Sequence, residues 1–353
     1  MIEQAAAAVA SGPMAAPSPF AAPARTEARA ASAAHASPQP HSEAVAEAVT
    51  AVFFAASVAA VEHPRGPHHR FLFDISIHEF SDISKYRNPQ GGLVFGAPLR
   101  RMSRMDDLKR RWARLEPHLT VVGPDDDRPR PAVLLFHGCG GLRSHLPRYA
   151  EAAKAAGWRA FIVDSYGPRG WGRAFTLTAV CTGLAFRGYE RAGDVLAAIQ
   201  GISARPDVDA TRLALAGWSH GGWSIMEMMS AGPAPNTLGV ADPGAADLSG
   251  VRAVWLAYPY IGPFAFNRMK PWRHCPRVLA VTCKRDHLTT VRNAELVNAM
   301  IRNCGAEVES WVAAGTHAFD EPTNNGPMRH DPDLTEESLR RFRAFLTDVA
   351  PHV

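Results

Sequence analysis

The chain has 353 residues, 46% of them apolar and 20% charged, enough for one large hydrophobic core and an accessory segment. Its formal net charge of +4 is spread along the sequence, leaving no basic block for nucleic acid or a membrane surface, and the apolar run AVTAVFFAASVAA at 48–60 is too short to be a membrane span of about 20 residues. Five cysteines without CxxC spacing argue against a zinc site or a complete disulfide framework, while leaving room for one bridge.

Residues 1–65 are rich in Ala, Pro and Ser, with little large apolar surface before Val52, and are expected to form a disordered tail. Met1-Ile2-Glu3 lacks the basic start of a secretory signal, which favours a cytoplasmic location. A start further downstream would turn 48–60 into a signal core and make the protein periplasmic or secreted. Residues 66–117 read as an N-terminal extension or lid, with a strand at Arg70–Ile75 and a helix at Met105–Leu115. The basic stretch from Arg100 to Arg111 is interleaved with Leu108, Trp112 and Leu115, as on the solvated face of an amphipathic helix.

From 118 to 353, strand-like and helix-like runs alternate, the signature of a doubly wound, mostly parallel sheet with helices on both faces. Expected strands are Pro131–Phe136, Arg159–Val163, Arg212–Ala216, Val251–Tyr258, Arg277–Thr282 and Val308–Ala313. Expected helices are Leu146–Ala156, Arg187–Ile202, one starting near Gly221, Val291–Asn303, and a closing helix with Thr335 as N-cap and Leu339, Phe342, Leu346 and Val349 on its buried stripe.

The candidate chemistry starts at Gly217-Trp218-Ser219-His220-Gly221, between the apolar run LALA and a helical segment. A serine on a strand-to-helix turn is a poor nucleophile unless a base reaches it and a third group orients that base. Asp286 and His317, each just past a later strand, follow in the required chain order. His287 competes for the base, and Asp320 and Asp164 are fallback acids. The glycine-rich loop His137-Gly138-Cys139-Gly140-Gly141 follows an early strand, so the backbone N–H groups of Cys139 and His220 are expected to face the developing oxyanion. No GxxxxGK[ST] accompanies this loop, so a phosphate cradle is not indicated. Tyr166, Trp218 and Arg169 are candidate substrate contacts, Arg169 through a substrate carboxylate. Surface packing is the competing reading for the arginine.

The motifs FHGCGGLR (136–143), DSYGPRG (164–170), LAGWSHGG (215–222), KRD (284–286) and THAF (316–319) together resemble the dienelactone hydrolase family of the α/β-hydrolases. That resemblance implies the α/β-hydrolase fold, a triad of Ser219, Asp286 and His317, the oxyanion amides of Cys139 and His220, no cofactor and no metal. The family's founders carry cysteine where Ser219 stands and an acidic residue in the oxyanion loop, absent here between His137 and Arg143. A serine carboxylesterase acting on a small-molecule ester is therefore the expectation, with a lactone as a special case. The alternatives are a serine peptidase of the prolyl oligopeptidase type and a non-catalytic binding protein on the same fold. Oligomeric state is not legible.

Overall fold

The computed structural model describes residues 105–349. The expectations for the tail at 1–65, for the apolar run at 48–60 and for the strand at Arg70–Ile75 fall outside those residues. Strand β2 (Arg130–Phe136) shows why the sheet is central: RPAVLLF is buried at every position after the first. A strand covered on both faces has no use for polar alternation. Its side chains still alternate in destination. Leu134 and Phe136 enter one apolar cluster, Val133 and Leu135 the other.

Among the described residues the sheet has seven strands in the order β1-β3-β2-β4-β5-β6-β7, with β1 (Leu119–Val122), β3 (Arg159–Val163), β4 (Val208–Trp218), β5 (Val251–Ala257), β6 (Arg277–Arg285) and β7 (Val308–Thr316). Only β1 runs antiparallel, against β3. Helices α1 (Leu108–Leu115), α3 (Gly188–Ser203), α4 (His220–Ser230) and α5 (Val291–Arg302) cover one face, and α2 (His145–Ala155) and α6 (Pro332–Val349) the other. This doubly wound arrangement is the α/β-hydrolase fold. The chain leaves β2 for β3 on one side and returns to β4 on the other, so the winding reverses at the β2/β4 pair. Crevices at the C-terminal ends of such strands are where ligands bind in open α/β sheets.

Three local expectations are corrected. Strand β1 was not expected: four residues at an edge, half exposed, carry no alternation to read. The closing helix starts at Pro332, with Asp331 Oδ1 accepting from the Leu334 N–H at 3.0 Å. Proline at the first helical position after a capping aspartate outcompetes Thr335 as a start signal. Thr335 is buried in the first turn, and its hydroxyl donates to the Asp331 carbonyl at 2.7 Å. Finally, Arg111 of α1 does not belong to a solvated face. It is buried, donating to Asp194 of α3 at 2.7 Å and to the Gly239 carbonyl at 2.8 Å. The helix begins at Leu108, N-capped by the Asp107 side chain.

Candidate active site

Strands β4, β6 and β7 are longer than their apolar runs suggested, and each ends on the residue before one of the nominated three: Trp218 before Ser219, Arg285 before Asp286, Thr316 before His317. All three side chains thus start from one edge of one sheet, and β6 and β7 are direct neighbours. The resulting contacts are continuous. His317 Nε2 lies 2.9 Å from Ser219 Oγ, and His317 Nδ1 lies 2.8 Å from Asp286 Oδ2. Asp286 Oδ1 accepts from the backbone N–H groups of Leu288 at 2.7 Å and Thr289 at 3.0 Å. Burial works against ionising this carboxyl, but its contact with the His317 ring and these hydrogen bonds hold it below its usual range.

Ser219 sits at φ 49°, ψ −108°, a left-handed conformation that costs a side-chain-bearing residue roughly 1–3 kcal/mol. The turn is this sharp because strand and helix meet with no room between them. A Cβ on Gly217 would lie 2.5 Å from the Gly222 nitrogen, and one on Gly221 only 2.1 Å from the Phe136 carbonyl oxygen. The Ser219 N–H donates to the Ala257 carbonyl at 2.9 Å, pinning the elbow to β5.

The glycine-rich loop after β2 approaches the same serine: a Cβ on Gly138 would be 3.7 Å from that of Ser219. Arg191 of α3, fully buried, holds loop and elbow together. Its guanidinium donates to the His137 carbonyl at 2.7 Å, to His220 Nδ1 at 3.0 Å and to Ser165 Oγ at 3.0 Å. Burial and this cation push His137 down to about 4 and His220 well below the usual histidine range, so both rings are neutral at physiological pH. Sequence reasoning missed Arg191. The available signal was a charged pair, Arg191 and Asp194, inside the otherwise apolar stretch of α3.

Cys139 of the loop is bonded to Cys181, fastening the loop to the segment after the π-helical turn Thr176–Val180. A small pocket of about 60 Å³ opens beside Ser219, with His220, Cys139 and Cys181 in its wall.

The remaining candidates are placed elsewhere. Arg169 is corrected: its guanidinium is bonded to the buried carboxylate of Asp194, with both distances 2.9 Å, and stacks over Phe186, so it does not stand free for a substrate carboxylate. Trp218 is corrected as well. Alternation along β4 sends it to the face opposite the pocket, where it packs on Tyr149 and donates to Asp320 at 3.1 Å. Tyr166 is 3% exposed, packed edge-on against His137, and does not line the pocket. Asp320 accepts hydrogen bonds from Tyr149, Tyr258 and Trp218, and Asp164 lies 3.6 Å from His137. Neither carboxylate contacts His317 through a hydrogen bond. The His287 ring is 5.6 Å from that of His317, on the rim.

No family model matches the chain, and no curated protein does. Among solved structures it is similar to a putative dienelactone hydrolase from Klebsiella pneumoniae subsp. pneumoniae, at 16% identity over 65% of this chain and 91% of that one, TM-score 0.48. It is also similar to esterase 2 of Thermogutta terrifontis phosphorylated by paraoxon, at 17% identity over 66% and 88%, TM-score 0.48. A dienelactone hydrolase-like promiscuous phosphotriesterase from metagenomic libraries gives 16% identity over 65% and 92%, TM-score 0.48.

Proposed function

We propose that this chain is a serine hydrolase of carboxylic esters, of the dienelactone hydrolase type. The observation that carries the reading is the unbroken relay from Ser219 Oγ through both nitrogens of His317 to Asp286, at 2.9 and 2.8 Å. His317 takes the Ser219 proton as Oγ attacks the ester carbonyl carbon, and Asp286 keeps the ring in the tautomer whose Nε2 is free to accept it. The backbone N–H groups of Cys139 and His220 receive the charge that develops on the carbonyl oxygen, each such donor lowering the barrier by roughly 3 kcal/mol. Collapse of the tetrahedral adduct breaks the bond to the alcohol oxygen, which leaves with the proton from His317. Water, deprotonated by His317, then cleaves the acyl-serine to the free acid and returns the proton to Ser219.

The test is turnover of p-nitrophenyl butyrate together with labelling by a fluorophosphonate and mapping of the modified residue. Ser219 should carry the label, and Ser219→Ala should lower kcat by at least about three orders of magnitude. Undiminished hydrolysis by Ser219→Ala sinks the reading. Absence of both label and turnover supports a non-catalytic protein instead, and faster cleavage of peptide amides than of esters supports a peptidase.

A further inference from the structure

The geometry points to the pocket beside Ser219 as the acyl-binding subsite, built for an uncharged apolar acyl group and closed to acyl groups that end in a carboxylate. This assignment rests on the roles proposed above for Ser219 and His317. An ester bound at Ser219 extends two ways from its carbonyl carbon. The alcohol side must lie against His317, because that ring protonates the departing oxygen. His317 is not among the residues that line the pocket, whereas Cys139 and His220, whose amides face the carbonyl oxygen, are. The pocket therefore lies on the side away from the leaving group, which is the acyl side.

Its walls set what fits. They are Val180, Trp223, Tyr260, Phe264 and Leu288 together with the Cys139–Cys181 bridge, and no lysine or arginine lines it among the described residues. The nearby guanidinium groups are engaged elsewhere: Arg191 on His137 and His220, Arg169 on Asp194. Arg187 sits outside the wall, its Nε donating to the Gly183 carbonyl at 3.0 Å and its guanidinium 4.9 Å over the Phe264 ring. Behind Trp223 lies an acid: Glu227, 2% exposed, accepts from the Trp223 indole and the Phe266 N–H, both at 2.7 Å. A carboxylate entering this space loses its water and finds no lysine or arginine in the wall, the Arg187 guanidinium being stacked on the Phe264 ring. An alkyl or aryl chain gains by leaving water for these apolar side chains. The cavity itself is small, about 60 Å³, well below the usual range for ligand pockets, and suits a short acyl chain.

The experiment compares methyl butyrate with monomethyl succinate by acid release in a pH-stat, a pair differing in a methyl against a carboxylate at the far end of a four-carbon acyl chain. For the parent protein kcat/KM should favour the butyrate by about a hundredfold or more. Phe264→Lys places a cation in the wall at a residue 40% exposed, where the fold tolerates it, and should shrink that preference at least tenfold, whereas Phe264→Gln should not. Comparable turnover of the two esters by the parent protein overturns the subsite. So does a preference that Phe264→Lys leaves unchanged. Turnover of neither ester, with Ser219 unlabelled by fluorophosphonate, overturns the nucleophile first and the subsite with it.

Discussion

Asp286 divides its two oxygens: Oδ2 faces His317 Nδ1 at 2.8 Å, while Oδ1 is occupied by the N–H groups of Leu288 and Thr289. The carboxylate is therefore fixed in its plane and cannot rotate away from the ring. Asp286→Asn keeps an oxygen for the two N–H groups and turns an amide NH₂ toward His317. The ring must then accept at Nδ1 and carry its proton on Nε2, where it opposes Ser219. We expect kcat for p-nitrophenyl butyrate to fall by about four orders of magnitude with KM changing little.

Asp320 should behave in the opposite way. It is 1% exposed and accepts from Tyr149 at 2.8 Å, Trp218 at 3.1 Å and Tyr258. Asp320→Leu leaves the buried donors of Trp218 and Tyr258 without an acceptor, at about 1–3 kcal/mol each, and leaves Tyr149 only Ser338 Oγ. Urea denaturation should show a loss of several kcal/mol, while kcat per folded molecule stays within about tenfold of the parent. A collapse of kcat with unchanged stability would transfer the role of acid to Asp320.

The Cys139–Cys181 bridge closes a sequence separation of 42. On chain-entropy grounds a loop of that size contributes about 4 kcal/mol, with measured values commonly 2–4. Cys181→Ser should lower the unfolding free energy by that order. Thiol titration of the denatured parent should count three free cysteines, Cys275, Cys283 and Cys304, rising to the full five after reduction. In the native protein Cys283 should not react, because burial raises its thiol pKa far above the usual range.

Stability should fall on mild acidification. His137 and His287 are both pushed down to about 4, chiefly by burial, and burial also holds His220 well below the usual histidine range. The unfolded chain binds protons at these side chains below its ordinary histidine pKa near 6.5, whereas the fold does not, so it loses stability as pH drops from about 6.5 toward 4. Every tenfold difference in proton affinity between the folded and unfolded chain is worth about 1.4 kcal/mol, which makes fully buried His137 alone a contribution of a few kcal/mol. Urea midpoints at pH 7.5, 6 and 5 should decline in that order; a flat profile would contradict neutral buried histidines.

That Ser219, Asp286 and His317 come together was legible because the apolar runs of β4, β6 and β7 stop near them, and chain order did the rest. What was not legible depended on direction and partnership. Trp218 is adjacent to Ser219, yet the two-residue period of a strand sends it to the other face. Arg169 looks available in sequence because Asp194, its partner, lies 25 residues away on α3. The pairing of Cys139 with Cys181 needed the segment after Phe175 folded back over the glycine loop. β1 was invisible because four half-exposed residues at an edge have no hydrophobic period.

The left-handed backbone at Ser219 makes the proposed nucleophile a burden on the fold. Glycine adopts that conformation without penalty, so Ser219→Gly should yield a protein at least as stable as the parent and devoid of turnover. Random mutagenesis screened only for thermal resistance would therefore drift toward losing the reaction at this codon, and toward rejecting every change at Gly217 and Gly221 beside it. Selection for activity and selection for durability pull apart at a single residue.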